Sequence, residues 1–410
     1  MQRRGFIKNG GLALFAAAAS TVYPGILGAT ALANRATERR KVLVCIFQRG
    51  AMDGISAVQP LNDPNLARLR PGLLLSATQA TKAGDKLIPL DDRFGLNAQL
   101  APLAPLYKQG RLAIVHGMGS PEVNRSHFDM QDYMENGTPG IKSTASGWLN
   151  RVSGQLRNQA SPFRAVSLTT ARPRSFFGEA PALAVDRLDN LRLRTSGGIR
   201  EELRAKYAGA GGGLGAAGLE GLEALRLLES KQITRIPTNN QYPNSDLGNS
   251  LRQTAQLIKA EVGLEIAFAE SNGWDSHSYQ LGPYGGFTRL ATDLSQGISA
   301  FWNDLGKYQD DVIVMTMTEF GRTIAENGSR GTDHGRASCQ FILGNGVNGG
   351  RIYGEVPTLT EANLADGRDL PVAVDFRSVF GAVAQGHLGI SDLRTVFPGY
   401  GGRTLNGLLR

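Results

Sequence analysis

The sequence predicts an α/β fold built around a large, mostly parallel sheet. Five apolar runs have the continuous hydrophobic character of strands buried on both faces, and they lie at 41–47, 111–116, 263–268, 311–316 and 339–343. Apolar residues recur at helical spacing between several of these runs, over 98–109, 126–135, 251–260 and 287–305. Strands that alternate with helices are typical of α/β folds with parallel sheets.

The first 33 residues have the features of an export signal. Arg3-Arg4-Gly5-Phe6-Ile7-Lys8 follows the twin-arginine pattern, an apolar stretch occupies 11–19, and Ala31-Leu32-Ala33 is a small-x-small cleavage site. The apolar stretch is shorter than the roughly 20 residues that span a bilayer. We therefore expect the twin-arginine translocase as an export partner, a periplasmic or extracellular location, and no stable membrane span after cleavage. An uncleaved anchor is the alternative.

Charge indicates the class of partner. Residues 1–33 contain Arg3, Arg4 and Lys8 and no acidic residue, so the formal charge falls from +8 for the chain to +5 for residues 34–410. A mildly basic protein suits an anionic small-molecule or polymer substrate. We expect no nucleic-acid partner.

We predict a signal peptide over 1–33 and a single domain over 34–410, with an inserted subregion around 190–250. Within that subregion, the Gly- and Ala-rich segment 208–218 predicts a flexible linker or surface loop. The chain has two cysteines. Cys45 lies in the first apolar run and is predicted to be a buried core residue, with a disulfide to Cys339 as the alternative in an oxidising compartment.

Polar, glycine-flanked residues follow the first four predicted strands or precede the fifth. Ligands of open α/β sheets bind beyond the carboxyl ends of the strands. Four of the five histidines and several carboxylates fall in such places, namely Asp53, His116, His127, Asp275, His277, Glu319, Asp333 and His334. The sequence therefore predicts a functional site at this edge of the sheet.

Carboxylate and imidazole groups in this number suit divalent metal ions, zinc or, where oxygen ligands dominate, manganese. Six candidates would give two ions three protein ligands each: Asp53, Asp275, His277, Glu319, Asp333 and His334. Two ions would clamp the attacking and leaving oxygens of a displacement. Each candidate also has a structural alternative: a turn at Asp53, a loop hydrogen-bond pair at 275–277, or an ion pair between Glu319 and Arg322.

Ser126 is the candidate nucleophile. It begins a helical pattern with Asp129 three residues later, which is a capping box. The same position at a helix N-terminus, beside a metal ion, would lower the pKa of the hydroxyl. His127 and His116 are candidates for an acid, a base or a ligand, although His116 also suits a strand-end core residue. Three arginines are candidates for holding phosphate or sulfate oxygens, or are surface charges: Arg125, which we group with the catalytic residues, and Arg322 and Arg336.

Other chemistries lack their motifs. The sequence has no G-x-S-x-G elbow and no P-loop, and neither cysteine lies in a C-x-x-C or C-x-P-x-R context. Gly211, Gly213 and Ala216 fit a nucleotide-binding pattern, but a helical pattern precedes them where a strand is required. His387 lies in the helical pattern 379–388 and is predicted to be structural or solvent-facing.

Five blocks of the chain resemble the bacterial family of unknown function DUF 1501. They lie at 48–60, 125–133, 273–277, 318–323 and 327–335. The resemblance covers nearly the whole mature chain, and members of that family carry twin-arginine signals and are grouped with the alkaline phosphatase superfamily. It implies an alkaline phosphatase-like α/β/α sandwich, a two-metal site and an alkoxide nucleophile.

The resemblance also implies residue roles. Asp53 is similar to the first metal-binding aspartate of the superfamily, Asp275 and His277 to its Asp…His pair, and Asp333-His334-Gly335 to its Asp-His-Gly block. Ser126 is the nearest match to the nucleophile. In the superfamily the Asp-His-Gly block directly follows a strand, whereas here Glu319 occupies that place.

These observations predict a metal-dependent hydrolase of phosphate or sulfate esters, with two divalent ions, zinc or manganese, and a serine nucleophile. The alternative is a non-catalytic periplasmic protein that keeps the fold and binds a glycan, an envelope polymer or a protein partner. A phosphomutase-like transferase is a third interpretation.

Overall fold

A nine-stranded sheet organises the chain, which the computed structural model describes over residues 39–76, 86–192, 198–239 and 241–410. The predicted export signal lies outside the described residues. The strands are β1 (Val42–Arg49), β2 (Val58–Pro60), β3 (Leu87–Pro89), β4 (Phe94–Asn97), β5 (Leu112–Gly119), β6 (Ala165–Ser167), β7 (Leu183–Ala184), β8 (Ile266–Asn272), β9 (Val312–Met317), β10 (Ser338–Leu343), β11 (Arg351–Gly354) and β12 (Val374–Asp375).

The large sheet has the order β11-β5-β10-β9-β1-β8-β6-β7, and β12 pairs with β5. Its pairs are parallel except at β10, which runs antiparallel to both of its neighbours, β9 and β5. Strands β2, β4 and β3 form a separate small antiparallel sheet. The mostly parallel sheet that the sequence predicts is therefore confirmed.

Helices connect the strands and cover the sheet. They are α1 (Gly54–Ala57), α2 (Leu66–Leu69), α3 (Ala104–Lys108), α4 (His127–Asn136), α5 (Trp148–Gln155), α6 (Ile199–Ala210), α7 (Gly212–Ser230), α8 (Asp246–Lys259), α9 (Gly286–Leu305), α10 (Phe376–Leu388) and α11 (Leu393–Val396). Short 3₁₀ helices lie at Ala98–Leu103, Arg174–Phe176, Leu188–Asn190, Ile233–Arg235, Gly306–Asp311 and Glu361–Asn363.

Side chains that alternate along β1 point into two apolar cores, one on each face of the large sheet. Val42, Val44 and Ile46 point into one apolar core, which also contains residues of α3, α8 and α9. Leu43, Cys45 and Phe47 point into a second core with residues of α5, α10 and α11. Because successive strand residues face opposite sides, helices on both faces bury every residue from Val42 to Phe47. The fold is an α/β/α sandwich.

The antiparallel β10 differs from the parallel strand expected at 339–343, and the difference shapes the site. The chain leaves β1, β8 and β9 at their carboxyl ends, and it enters the reversed β10 at the same edge. Residues that precede β10 therefore lie beside residues that follow its neighbours. This reversal brings 333–334 to the edge where the other candidates lie.

The glycine-rich segment is not a loop, so that prediction is wrong. Helix α7 begins at Gly212 and includes most of the segment, and α6 packs against it within the predicted inserted subregion. A Cβ atom placed on Gly218 would lie 2.2 Å from the ring of Tyr207 in α6. Small residues are needed here because the two helices pack closely.

Both cysteines are free and buried. Cys45 lies in β1 and Cys339 in β10, with β9 between them. The alternative of a disulfide is therefore not realised, and the core position predicted for Cys45 is confirmed. No helix within the described ranges has the length and apolarity to cross a bilayer.

Candidate metal centre

Four side chains converge at the sheet edge where β1, β8 and β9 end. His127 is the first residue of α4, Asp275 and His277 lie in the loop after β8, and His334 precedes β10. The Nε2 atoms of His127 and His277 each lie 3.0 Å from Nε2 of His334. Oδ1 of Asp275 lies 3.0 Å from Nε2 of His277 and 3.2 Å from Nε2 of His334, and its Oδ2 lies 3.5 Å from Nε2 of His127.

The outer nitrogen of each imidazole donates to a different acceptor. Nδ1 of His127 donates to Glu319 at 2.8 Å, and Nδ1 of His277 donates to Asp333 at 2.9 Å. Nδ1 of His334 donates to the carbonyl of Arg125 at 2.8 Å. These partners assign the proton of each neutral imidazole to Nδ1. Nε2 of His334 therefore faces the Nε2 lone pairs of His127 and His277, and all three nitrogens lie within 3.5 Å of the Asp275 carboxylate.

Three of these side chains, His127, Asp275 and His334, have ligand atoms within 4.8 Å of one another and fit a divalent metal ion, and His277 lies beside them. Neighbouring lone pairs at 3.0 Å repel unless a cation or a proton lies between them. Two imidazole nitrogens that bind one tetrahedral zinc ion at about 2.0–2.1 Å lie about 3.3 Å apart, which is close to the observed separations. Outer acceptors that fix the orientation of each ring are typical of metal-binding histidines. His277 and Asp275 are 46% and 43% exposed, so the centre is open to solvent.

Glu319 and Asp333 lie outside this cluster of Nε2 atoms. Glu319 is buried, and besides His127 it accepts hydrogen bonds from the backbone N–H of Gly50 at 2.8 Å and from Gln131 at 2.9 Å. Burial would raise the pKa of Glu319, but these donors hold it below its ordinary value. Hydrogen bonds from Asn327 and His277 likewise lower the pKa of Asp333. Both carboxylates are ionised and orient imidazoles instead of facing the centre directly.

The charge on Asp275 is maintained by Arg322. The guanidinium of Arg322 is completely buried and donates to Oδ1 of Asp275. It also donates to four backbone carbonyls, those of Gly50, Ala51, Trp274 and Thr332. Burial would raise the pKa of Asp275, but Arg322 holds it below its ordinary value. Arg322 therefore joins the loops around the centre. Its burial contrasts with the contact to phosphate or sulfate oxygens that was predicted from the sequence.

Asp53 does not contact the converging histidines. Its carboxylate is buried, caps α1 and forms an ion pair with Arg70 at 2.6 Å. Burial would raise the pKa of Asp53, but the guanidinium of Arg70, with Ser56 and Gln280, holds it below its ordinary value. The first metal-binding position implied by the family resemblance is thus occupied by an internal ion pair.

Ser126 is the N-cap of α4, and its hydroxyl lies 3.5 Å from the backbone nitrogen of Asp129. The structure therefore shows the capping arrangement. The guanidinium of Arg125 is engaged by Asp366 and Asp369 at 3.0 and 2.5 Å. Arg336 lies two residues after His334, and its side chain forms no ion pair with any described residue.

The two remaining histidines are structural. His116 is buried within β5, donates through Nε2 to the carbonyl of Val58 at 2.8 Å, and accepts through Nδ1 from Gly117 at 3.0 Å. His387 in α10 lies 3.0 Å from the carbonyl of Val42. The predictions of a core role for His116 and a structural role for His387 are confirmed.

Sequence analysis missed several residues that hold the site. Gln131 lies four residues after His127 on the same helix face, and this spacing was a usable signal. Asn327 donates to Asp333 at 3.1 Å and lies in a block that the family resemblance had already marked. Arg70 lies in an unremarkable segment, and no sequence signal connects it with Asp53.

Comparisons with solved structures found low similarity over most of the chain. The protein Ps i-CgsB in complex with k-i-k-neocarrahexaose is 8% identical, with a TM-score of 0.38, 88% of this chain covered and 75% of that one. A putative sulfatase from Bacteroides thetaiotaomicron is 7% identical, with a TM-score of 0.37 and coverage of 90% and 76%. An alkaline phosphatase superfamily protein from Vibrio parahaemolyticus is 11% identical, with a TM-score of 0.33, and the match covers 78% of this chain but only 64% of that protein.

Comparison with protein families gave a match over most of the chain. No match was found among curated proteins. The family described as a protein of unknown function, DUF1501, matches residues 40–397, which include every residue of the candidate metal centre. This chain therefore belongs to the DUF1501 family.

Proposed function

We propose that the protein is an exported, metal-dependent hydrolase of phosphate or sulfate esters. One observation carries the proposal: at a solvent-open edge of the sheet, the Nε2 atoms of His127 and His277 each lie 3.0 Å from Nε2 of His334, and all three lie beside the Asp275 carboxylate. Three imidazoles and one carboxylate suit zinc, and they also suit manganese or iron. When bound, the ion would supply a Lewis acid that polarises an ester oxygen.

The residues around the centre hold the ligands in place. Glu319 and Asp333 fix two imidazoles, and Arg322 keeps the Asp275 carboxylate ionised and oriented. Of the three arginines predicted near the site, Arg336 is the one whose charge is uncompensated by a described carboxylate. We propose Arg336 as the residue that attracts an anionic ester.

Ser126 remains the proposed nucleophile, and its cap role needs a matched test. Ser126→Asn keeps an effective helix cap but removes the hydroxyl. If Ser126 attacks the ester, Ser126→Asn abolishes turnover while the thermal unfolding temperature stays close to that of the wild type. Turnover that survives in Ser126→Asn contradicts the nucleophile role and leaves the metal centre unaffected.

A metal-dependent binding protein is the second candidate. It is favoured by the cap geometry of Ser126 and by the number of protein ligands, since four ligands complete the coordination typical of structural zinc sites. An anionic glycan or envelope polymer would be the ligand in that case.

Hydrolysis of aryl phosphate and aryl sulfate by the purified protein, loaded with zinc or manganese, separates the two candidates. We expect turnover that a chelator abolishes, that added metal restores, and that falls at least about 100-fold in His334→Ala. Arg336→Gln should raise KM for the anionic ester more than it lowers kcat. A metal-loaded protein that hydrolyses neither ester contradicts the hydrolase proposal and favours the binding protein.

A further inference from the structure

The carboxylate of Asp53 has no capacity left for a metal ion. Its Oδ2 accepts from Ser56 at 2.7 Å, from Gln280 at 2.5 Å and from Arg70 at 2.6 Å. Its Oδ1 accepts from the backbone of Ile55 and from Arg70, each at 3.2 Å. A carboxylate offers about four lone-pair positions, and five donors already surround this one.

The guanidinium of Arg70 is equally satisfied. Besides Asp53 and Ser56, it donates through Nε to the carbonyl of Ile324 at 2.5 Å and through Nη2 to the carbonyl of Thr323 at 2.6 Å. The side chains of Arg70 and Asp53 are each 1% exposed. An arginine does not lose its proton in a protein, so this site holds a permanent positive charge that no chelator removes.

We infer that Arg70 is a built-in cation that takes the place of a second metal ion at Asp53, so that the protein binds one divalent ion, at His127, His277, His334 and Asp275. A metal ion at Asp53 would have to displace a charge-assisted pair that also satisfies two buried carbonyls. The guanidinium would then be left buried without its counter-charge, which is strongly unfavourable.

The ion pair also connects to the loops of the metal centre. Gln280 donates to Asp53, and its Oε1 accepts from Ser276 at 3.0 Å and from Thr332 at 2.6 Å. Ser276 lies between Asp275 and His277, and Thr332 precedes Asp333. Through Asp53 and Gln280, Arg70 thus holds both ligand-bearing loops against the segment after β1. A second metal ion at Asp53 would have the same structural role. Arg70 is a positioning residue, and the inference holds whether or not the centre is catalytic.

Metal counting by mass spectrometry of the purified full chain tests the inference without an activity assay. We expect one equivalent of zinc or manganese per chain in the wild type. We expect the count to stay at one equivalent in the charge-free double variant Asp53→Asn/Arg70→Met, because neither residue is a ligand. Its Kd should be up to about 10-fold weaker, because the pair also positions both ligand-bearing loops. A wild-type count of two, or loss of the metal from the double variant, overturns the inference. A count of zero overturns the metal centre itself.

The variant Arg70→Ala tests the substitution of one cation for another. Removal of the guanidinium leaves a small space beside the Asp53 carboxylate. Added manganese or zinc should therefore bind to Arg70→Ala as a second equivalent and raise the thermal unfolding temperature of this variant. The wild type and Asp53→Asn/Arg70→Met should show neither effect beyond the first equivalent. Absence of a second equivalent in folded Arg70→Ala would contradict the role of Arg70 as a cation in place of a metal. If Arg70→Ala does not fold, the count in the double variant decides.

Discussion

At the residue scale, each histidine of the centre is oriented by a contact with a residue that is distant in the chain. Asp275, His277, Asp333 and His334 were predicted from their positions after or between strands, and the structure brings them together. The division into residues that face the centre and residues that orient them depends on which ring nitrogen points inward. The nitrogen that points inward is fixed by contacts such as the one between Glu319 and His127, which are 192 positions apart. No local sequence pattern indicates such a contact.

Glu319→Gln tests the orienting role of this carboxylate. The amide keeps the shape of the side chain, but it is a weaker acceptor for Nδ1 of His127. We expect metal affinity to fall by about 10- to 100-fold, as is typical when the outer partner of a ligating histidine is changed. Competition with a fluorescent zinc chelator measures the change.

The matched control for this measurement is Glu223→Gln. Glu223 lies on α7 and forms an exposed ion pair with Arg226, so its replacement should leave the zinc affinity unchanged. Equal affinities of Glu319→Gln and wild type would show that the carboxylate does not support the ligand.

At the element scale, hydrophobic runs predicted the buried strands well because each run is covered on both faces. Strand direction was the part that local sequence could not show. The residues of β10 are all buried, as are those of β9, and the reversal of β10 follows from the route of the chain before it. The prediction of a loop at the glycines of α7 was wrong for a similar reason. The contact that requires a small residue at Gly218 is with Tyr207, which lies in another helix.

The buried histidine within β5 should make the free energy of unfolding depend on pH. Burial lowers the pKa of His116 to about 4, although its hydrogen bond to Val58 opposes the shift. The unfolded chain binds a proton near pH 6.5 and the folded chain does not until about pH 4, so the free energy of unfolding falls as the pH drops through this window. Between pH 7 and pH 5 this histidine alone should cost about 2 kcal/mol. Urea unfolding of the chelator-treated protein measures it.

His116→Gln removes the titrating group and should reduce the loss between pH 7 and pH 5 by about 2 kcal/mol. His387→Gln gives a matched comparison, because burial also lowers the pKa of His387 to about 4. If His116→Gln loses as much stability over this range as the wild type does, the folded chain already carries a proton on His116 at pH 5.

At the scale of the whole molecule, the sequence pattern predicted an α/β fold and the family resemblance implied an α/β/α sandwich, and the two cores on opposite faces of the sheet confirm both. The carboxyl-edge location of the site followed from the same fold rule. What the sequence could not provide was the internal balance of charge. Arg70 and Arg322 are buried cations that compensate Asp53 and Asp275, and each pair joins segments separated by 17 or 47 positions.

Export of the folded protein is a prediction for the intact chain. Replacing Arg3 and Arg4 together by lysine should keep the protein in the cytoplasm, because the translocase recognises the arginine pair. The chain offers a matched control in Arg39 and Arg40, a second arginine pair outside the predicted signal. Replacing that pair by lysine should leave export unchanged. Cell fractionation and immunoblotting measure both variants, and equal export of both would contradict the twin-arginine assignment.

Anomalous X-ray diffraction at the absorption edge of the bound metal tests the central claim most directly. For crystals grown with zinc or manganese, we predict one anomalous peak about 2.0–2.2 Å from Nε2 of His127, His277 and His334 and from a carboxylate oxygen of Asp275. A peak at Asp53, or no peak among these four side chains, would contradict it.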